Sequence, residues 1–175
     1  MRYIPSAKIL VLLAVVATIV CLDQFTKQLV LDGFQYGESR TLIPGFFNLT
    51  HVHNPGAAFG FLSQWDSKFR MPFFIIVPFA ALVGIAAIFR RVGDSDLFLA
   101  SALALIVGGA FGNLIDRVSF GYVVDFLDFY WGQSGIHFPA FNVADIAITV
   151  GVGVLLVDLY RKDRSGVPSK EESDA

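Results

Sequence analysis

Four long apolar runs separated by polar stretches organise the 175 residues of this chain. Ile9 to Leu31 is apolar as far as Leu22 and mixed beyond it, Met71 to Phe89 and Leu97 to Ile115 hold no charge, and Phe138 to Val157 holds only Asp145. A hydrocarbon core of roughly 30 Å needs about 20 helical residues rising 1.5 Å each, so each run predicts a spanning helix. Pro72 and Pro78 lie where a membrane helix tolerates them. Between the first two runs, FFNLTHVHNPGAAFGFL (46 to 62) sets β-prone, partly alternating residues around an Asn-Pro-Gly turn and predicts a small sheet on the membrane surface. VSFGYVVDFLDFYW (118 to 131) is rich in aromatics that settle at headgroup level and predicts a loop or short helix in the interface. The expected fold is an all-α polytopic membrane protein in one domain, 1 to 175, with four transmembrane helices and a small extracytoplasmic β-sheet. A disordered tail is expected from about 162.

Composition supports the membrane reading, since 55% of residues are hydrophobic, 16% are charged and the mean hydropathy is +0.63. A net charge of -2 without a basic stripe excludes nucleic acid as a partner. Eight Lys and Arg lie at the N-terminus, the 90 to 96 turn and the tail, against four (Arg40, Lys68, Arg70, Arg117) on the other side. The positive-inside rule puts both termini in the cytoplasm and the loops 32 to 70 and 116 to 137 outside. Cys21 is the single cysteine, so there is no internal disulfide. It does not mark a processed leader, because Ile19 and Val20 stand where such cleavage needs small residues.

Polar residues collect at one depth. By helical rise Asp145 lies about 9 Å below the outer surface, counted from Pro139, and Asp23 roughly 12 Å below it, counted from Leu31. Asn113, Asp116 and Arg117 close the third run, and Asn142 precedes Asp145 by three residues, on one helical face. A carboxylate in hydrocarbon is by default functional and needs a partner. Asp23 and Lys27, four apart, can neutralise each other. Arg117 can snorkel or hold a lipid phosphate or a substrate carbonyl. For Asp145 the candidate is Asp125, flanked by Val123, Val124, Phe126 and Leu127, an apolar setting that raises a carboxyl pKa. Two such carboxyls share a proton and so offer a base for water and an acid for a leaving amine, which is the chemistry of peptide hydrolysis. Asp128, in the same stretch, reads as a solvated loop aspartate.

Rival chemistries are weaker. His51 and His53 would share a face of a strand and with a carboxylate could bind zinc, but there is no HExxH and His137 is the only other histidine. Ser101, Ser119 and Cys21 have no triad partners in view. A small proton- or cation-coupled transporter using Asp145 needs polar groups reaching both faces, and the inner halves are apolar. Gly108, Gly109 and Gly112 suit either a pathway or close helix packing. A noncatalytic assembly subunit leaves the converging Asp and Asn unexplained.

From about residue 9 to 161 the chain resembles the prolipoprotein signal peptidases (type II). The matching motifs come in the family's order: LDQFTK (22 to 27), NPGAAFG (54 to 60), GGAFGNLIDR (108 to 117), GYVVDF (121 to 126) and FNVADI (141 to 146). The resemblance implies an aspartic endopeptidase of the bacterial inner membrane that cuts the signal peptide from diacylglyceryl-modified prolipoproteins, just before the lipidated cysteine. It implies a catalytic dyad of Asp125 and Asp145, supported by Asp23, Lys27, Asn54, Gly56, Asn113, Asp116, Arg117 and Asn142. Asn54 and Arg117 look like substrate or lipid contacts. It further implies no metal or other cofactor, contact with membrane phospholipid, and sensitivity to the cyclic peptide globomycin.

Overall fold

The computed structural model describes residues 6 to 56, 66 to 132 and 135 to 164. Its elements run α1 (Ala7–Gly33), β1 (Ser39–Ile43), β2 (Phe47–Asn54), α2 (Ser67–Arg91), α3 (Leu97–Phe120), β3 (Val123–Trp131), β4 (Ile136–His137) and α4 (Val143–Arg164). All four helices are long and apolar enough to cross a membrane. Many of their large apolar side chains point outward, among them Leu13, Phe25, Phe69, Ile76, Phe79 and Leu156. In water this would be costly, but lipid tails are as apolar as leucine and ask for no such burial.

What these helices bury is mostly small or polar. Helix α3 is the centre of the bundle, with 44% of its spanning window buried against 6 to 22% in the other three. It packs against α1, α2 and α4. Its buried stripe is Ala100, Ala102, Leu103, Ala104, Gly108, Gly109, Gly112, Asn113 and Asp116. Glycine is required where α1 crosses, because a Cβ on Gly112 would stand 2.5 Å from the Asp23 Oδ2 atom. Gly108 and Gly109 are closed off likewise by Ile19 and by Ala144 and Ile148, so the three glycines serve close packing. Cys21 is a free, exposed thiol on α1.

Strands β1 to β4 form an antiparallel sheet in sequence order at one end of the bundle. It is seated by an apolar cluster of Val30, Val124 and Phe126 with Leu31, Phe34, Leu49 and Val143. At the opposite end Lys8 pairs with Asp94, and Lys162 pairs with Asp96 and Asp158.

Two expectations are corrected here. Residues 118 to 131 are neither a loop nor an interfacial helix: α3 runs on to Phe120, Gly121 stops it at φ 80°, and β3 follows. The fourth helix begins at Val143 rather than near Phe138. Its start is set by a reciprocal cap in which Asn142 Oδ1 accepts the Asp145 N–H (3.0 Å) and Asp145 Oδ2 accepts the Asn142 N–H (3.2 Å). Asn142 is therefore a cap and not a neighbour on the helical face, and Asp145 stands in the first turn. The helix continues to Arg164, past the expected start of the tail. The remainder of that tail, 165 to 175, and residues 57 to 62 of the predicted surface sheet lie outside the described residues.

Candidate active site

Two groups of carboxyls meet where the sheet sits on the bundle. The first is built on Lys27, which is 2% exposed and whose ammonium has three partners: Asp23 Oδ2 at 2.8 Å, Asp116 Oδ2 at 2.9 Å and Asn113 Oδ1 at 3.1 Å. The expected Asp23–Lys27 pair is thus one side of a triangle. Gln24, which sequence reasoning passed over, donates to Asp116 Oδ1 at 2.9 Å and Asp23 Oδ2 at 3.2 Å. Two backbone N–H groups complete the shell, Ala144 to Asp23 Oδ1 (2.9 Å) and Val124 to Asp116 Oδ2 (3.0 Å). Every oxygen and the ammonium are satisfied, which makes such a buried cluster tolerable. The two N–H groups belong to the neighbours of Asp145 and Asp125, so the cluster pins both from behind.

The second group is Asp125 and Asp145. On the β2–β3 ladder Val52 lies opposite Asp125 and Asn54 opposite Val123, which sets Asn54 diagonal to Asp125 on one face. The Asn54 amide donates to Asp125 Oδ2 at 2.9 Å, and the Asn142 amide donates to Oδ1 at 2.7 Å. Asn113 donates to Asp145 Oδ1 at 2.8 Å. Asn142 therefore touches both carboxyls, one through its side chain and the other through its N–H. Asp125 is 2% exposed. Burial, and next the facing Asp145, push its pKa up to about 7 against the pull of the two amides.

Beside this pair opens a cavity of about 500 Å³ whose lining combines the polar Asn54, Asn113, Arg117 and Asp145 with the apolar Phe138, Pro139, Ala140, Phe141, Ile146 and Val150. Arg117 donates to the carbonyls of Gly56 (3.1 Å) and Asn113 (3.4 Å) and lies over the Phe74 ring, while its Nε is buried with no partner among the described residues. Gly56 in turn donates its N–H to Asn54 Oδ1 at 3.1 Å. All ten site residues named from the sequence thus fall into one connected network.

The other polar residues are placed differently from expectation. His51 and His53 share a face, but they pair with each other, Nε2 to Nε2 at 3.1 Å, and not with a carboxylate. His53 also stacks on Tyr122, and burial together with His51 lowers its pKa. Among the described residues no three His, Cys, Asp or Glu side chains group as metal ligands. Asp128 is not solvated: it is 8% exposed and accepts from the Asn48 amide (2.8 Å) and from His137 (2.8 Å).

Comparison with known proteins decides the family. The family model described as Signal peptidase (SPase) II matches residues 15 to 161. The chain belongs to the signal peptidase II family. It is 50% identical over 155 residues to a lipoprotein signal peptidase of Geobacter sulfurreducens, covering 89% of this chain and 94% of that one. It is 47% identical over 146 residues to that of Brevibacillus brevis, covering 83% and 92%. A solved bacterial membrane enzyme, determined by the in meso method at 2.3 Å resolution, superposes with a TM-score of 0.81 at 32% identity over 97% of this chain and 99% of that one. As a signal peptidase II, the protein is a bacterial membrane peptidase, and a transporter reading of Asp145 is not favoured.

Proposed function

We propose that the protein removes the signal peptide from diacylglyceryl-modified prolipoproteins, cutting before the lipidated cysteine with water activated between Asp125 and Asp145. The observation that carries the dyad is Asn142, whose single side chain and N–H hold both carboxyls, Asp145 lining the cavity and Asp125 buried behind it. In this mechanism Asp145, in the first turn of α4 with a donor on each of its oxygens, serves as the base. Asp125, with its pKa near 7, is the partner that holds the proton.

The reaction then balances in two steps. The Asp145 carboxylate takes a proton from water as the water oxygen bonds to the scissile carbonyl carbon, and Asp125 gives its proton to the carbonyl oxygen. A hydroxyl of the resulting gem-diol returns a proton to Asp125 as the C–N bond breaks, and Asp145 protonates the departing nitrogen. Arg117 and Asn54 line the cavity beside the dyad and are proposed to hold the peptide carbonyls or the glyceryl ester oxygens. Phe138, Phe141, Ile146 and Val150 offer an apolar wall for acyl chains, whether of substrate or of phospholipid. A globomycin-type cyclic peptide would occupy the same cavity. The charge rule supports placing the end with Arg90, Arg91, Arg161, Lys162 and Arg164 in the cytoplasm and the dyad near the outer surface.

The test is cleavage of a lipidated precursor in detergent. Asp125→Asn and Asp145→Asn should each abolish it while chelators leave it unchanged. Cleavage by either variant would remove the dyad, and loss with a chelator would reopen the histidine pair as a metal site.

A further inference from the structure

Asp128 is a buried carboxyl that this chemistry does not use. It faces Asn48 on β2 and, through 2.8 and 3.0 Å contacts to its two oxygens, the Nδ1 of His137. His137 ends β4, a strand of two residues paired with Tyr130 and Trp131, and its ring stacks on Tyr130 at 5.3 Å. So short a ladder is a weak anchor by itself. Yet the chain leaving it, 138 to 141, supplies apolar lining to the cavity that Arg117 and Asn54 also line. That wall is hung from β3 by backbone bonds: the Phe138 N–H to Phe129 at 2.7 Å, and a mutual pair between Phe141 and Leu127 at 2.9 and 3.1 Å. The His137–Asp128 contact sits at the head of this hanging segment and ties it to a carboxyl already fixed by β2.

We infer that His137 and Asp128 form a latch that sets the 138 to 141 wall, which makes them positioning residues for substrate binding; this deepens the peptidase reading of the cavity and rests on it. The latch touches none of the groups that fix the dyad, since Asp125 and Asp145 are held by Asn54, Asn113 and Asn142. Its loss should therefore weaken substrate binding and spare turnover.

The chemistry of the contact makes a discriminating set of variants. The donor is Nδ1, the ring nitrogen next to Cγ, and the Nδ2 of asparagine occupies the same place on its side chain. His137→Asn should keep the latch, while His137→Gln and His137→Ala should open it. Purified full-length enzyme in detergent is measured in two ways. Deuterium uptake across 135 to 142 without substrate is expected to rise for Ala and Gln and to match wild type for Asn. On a lipidated precursor, KM should rise about five-fold for Ala and Gln, the effect of losing one hydrogen bond, with kcat within about two-fold and Asn restoring KM. Unchanged uptake in His137→Ala overturns the latch whatever the kinetics. Raised uptake with unchanged KM, a fall in kcat in step with KM, or failure of Asn to restore either measure overturns the positioning role. Because uptake is read without substrate, a preparation in which wild type fails to cleave would sink the peptidase reading and still decide the latch.

Discussion

Asp23 and Asp116 lie beside Asp125 and Asp145 at one level of the bundle, linked through Asn113, and all four come from the same kind of apolar surroundings. Asp23 and Asp116 share an ammonium and have every oxygen occupied. Asp125 and Asp145 have amide donors, no ion pair among the described residues although the Arg117 charge is near, and an open cavity beside them. A buried carboxylate facing Lys27 is compensated and can stay charged as structure. One that faces another carboxylate can lower its energy only by keeping a proton, and that proton is what an acid–base reaction consumes. In the proposed mechanism the position of a single lysine thus separates scaffold from reagent.

The contrast can be broken from either side. The largest effect is expected from Asp125→Asn or Asp145→Asn, each lowering kcat by at least about 10²- to 10⁴-fold, the range of one acid–base group, with the thermal midpoint held or raised. A lowered midpoint would mean that these carboxyls are structural like the other pair. Lys27→Met should do the reverse, stranding two carboxylates at a cost of roughly 3 to 5 kcal/mol, read as a large fall in the thermal midpoint. Adding Asp23→Asn and Asp116→Asn to it should recover much of that loss.

A smaller effect is expected from pH. Because the folded pKa of Asp125 is raised to about 7 from 3.8, the folded state binds its proton more tightly than the unfolded chain. The stability it contributes is full below about 4, is lost as pH rises toward about 7, and is level above that. Asp125→Asn should cancel this part of the slope, so its advantage over wild type should be larger at pH 8 than at pH 4. Activity should also fall as pH rises through about 7, because the proton-bearing dyad is depleted. The smallest effect is expected at the other end of the bundle, where Lys162, about half exposed, pairs with Asp96 and Asp158. Lys162→Ala should cost no more than about 1 kcal/mol and leave cleavage unchanged.

The spans were legible because lipid demands uninterrupted apolar length, whereas the helical-rise count that set Asp145 about 9 Å deep fails, since 139 to 142 are not helical and α4 begins only at Val143. Strand β3 was not legible. Its first four residues, Val123 to Phe126, are all buried, so the alternation that reveals a half-exposed strand is missing and aromatics dominate the pattern. The start of α4 was misplaced because PAF reads as apolar helix, although Asn142 followed three residues later by Asp145 is a capping signal. Gln24 gave no signal, since only the crossing of α1 and α3 at Gly112 turns its amide into a bridge between two aspartates. Asp128 looked like any loop acid because its partner, His137, lies across a turn and its burial depends on β2.

The cavity beside the dyad continues down α4 past Ile146 to Val150, and both of these side chains are open to the surrounding lipid. On the proposed function, a substrate anchored by its acyl chains need never leave the bilayer to reach Asp145, because it can arrive sideways along that face. Encounter then becomes a search in two dimensions, governed by how many precursors share a patch of membrane and not by their amount per volume. In a detergent assay the same geometry makes the apparent KM scale with the number of micelles. Diluting the substrate with empty detergent, at fixed total concentration, should slow an unaltered enzyme.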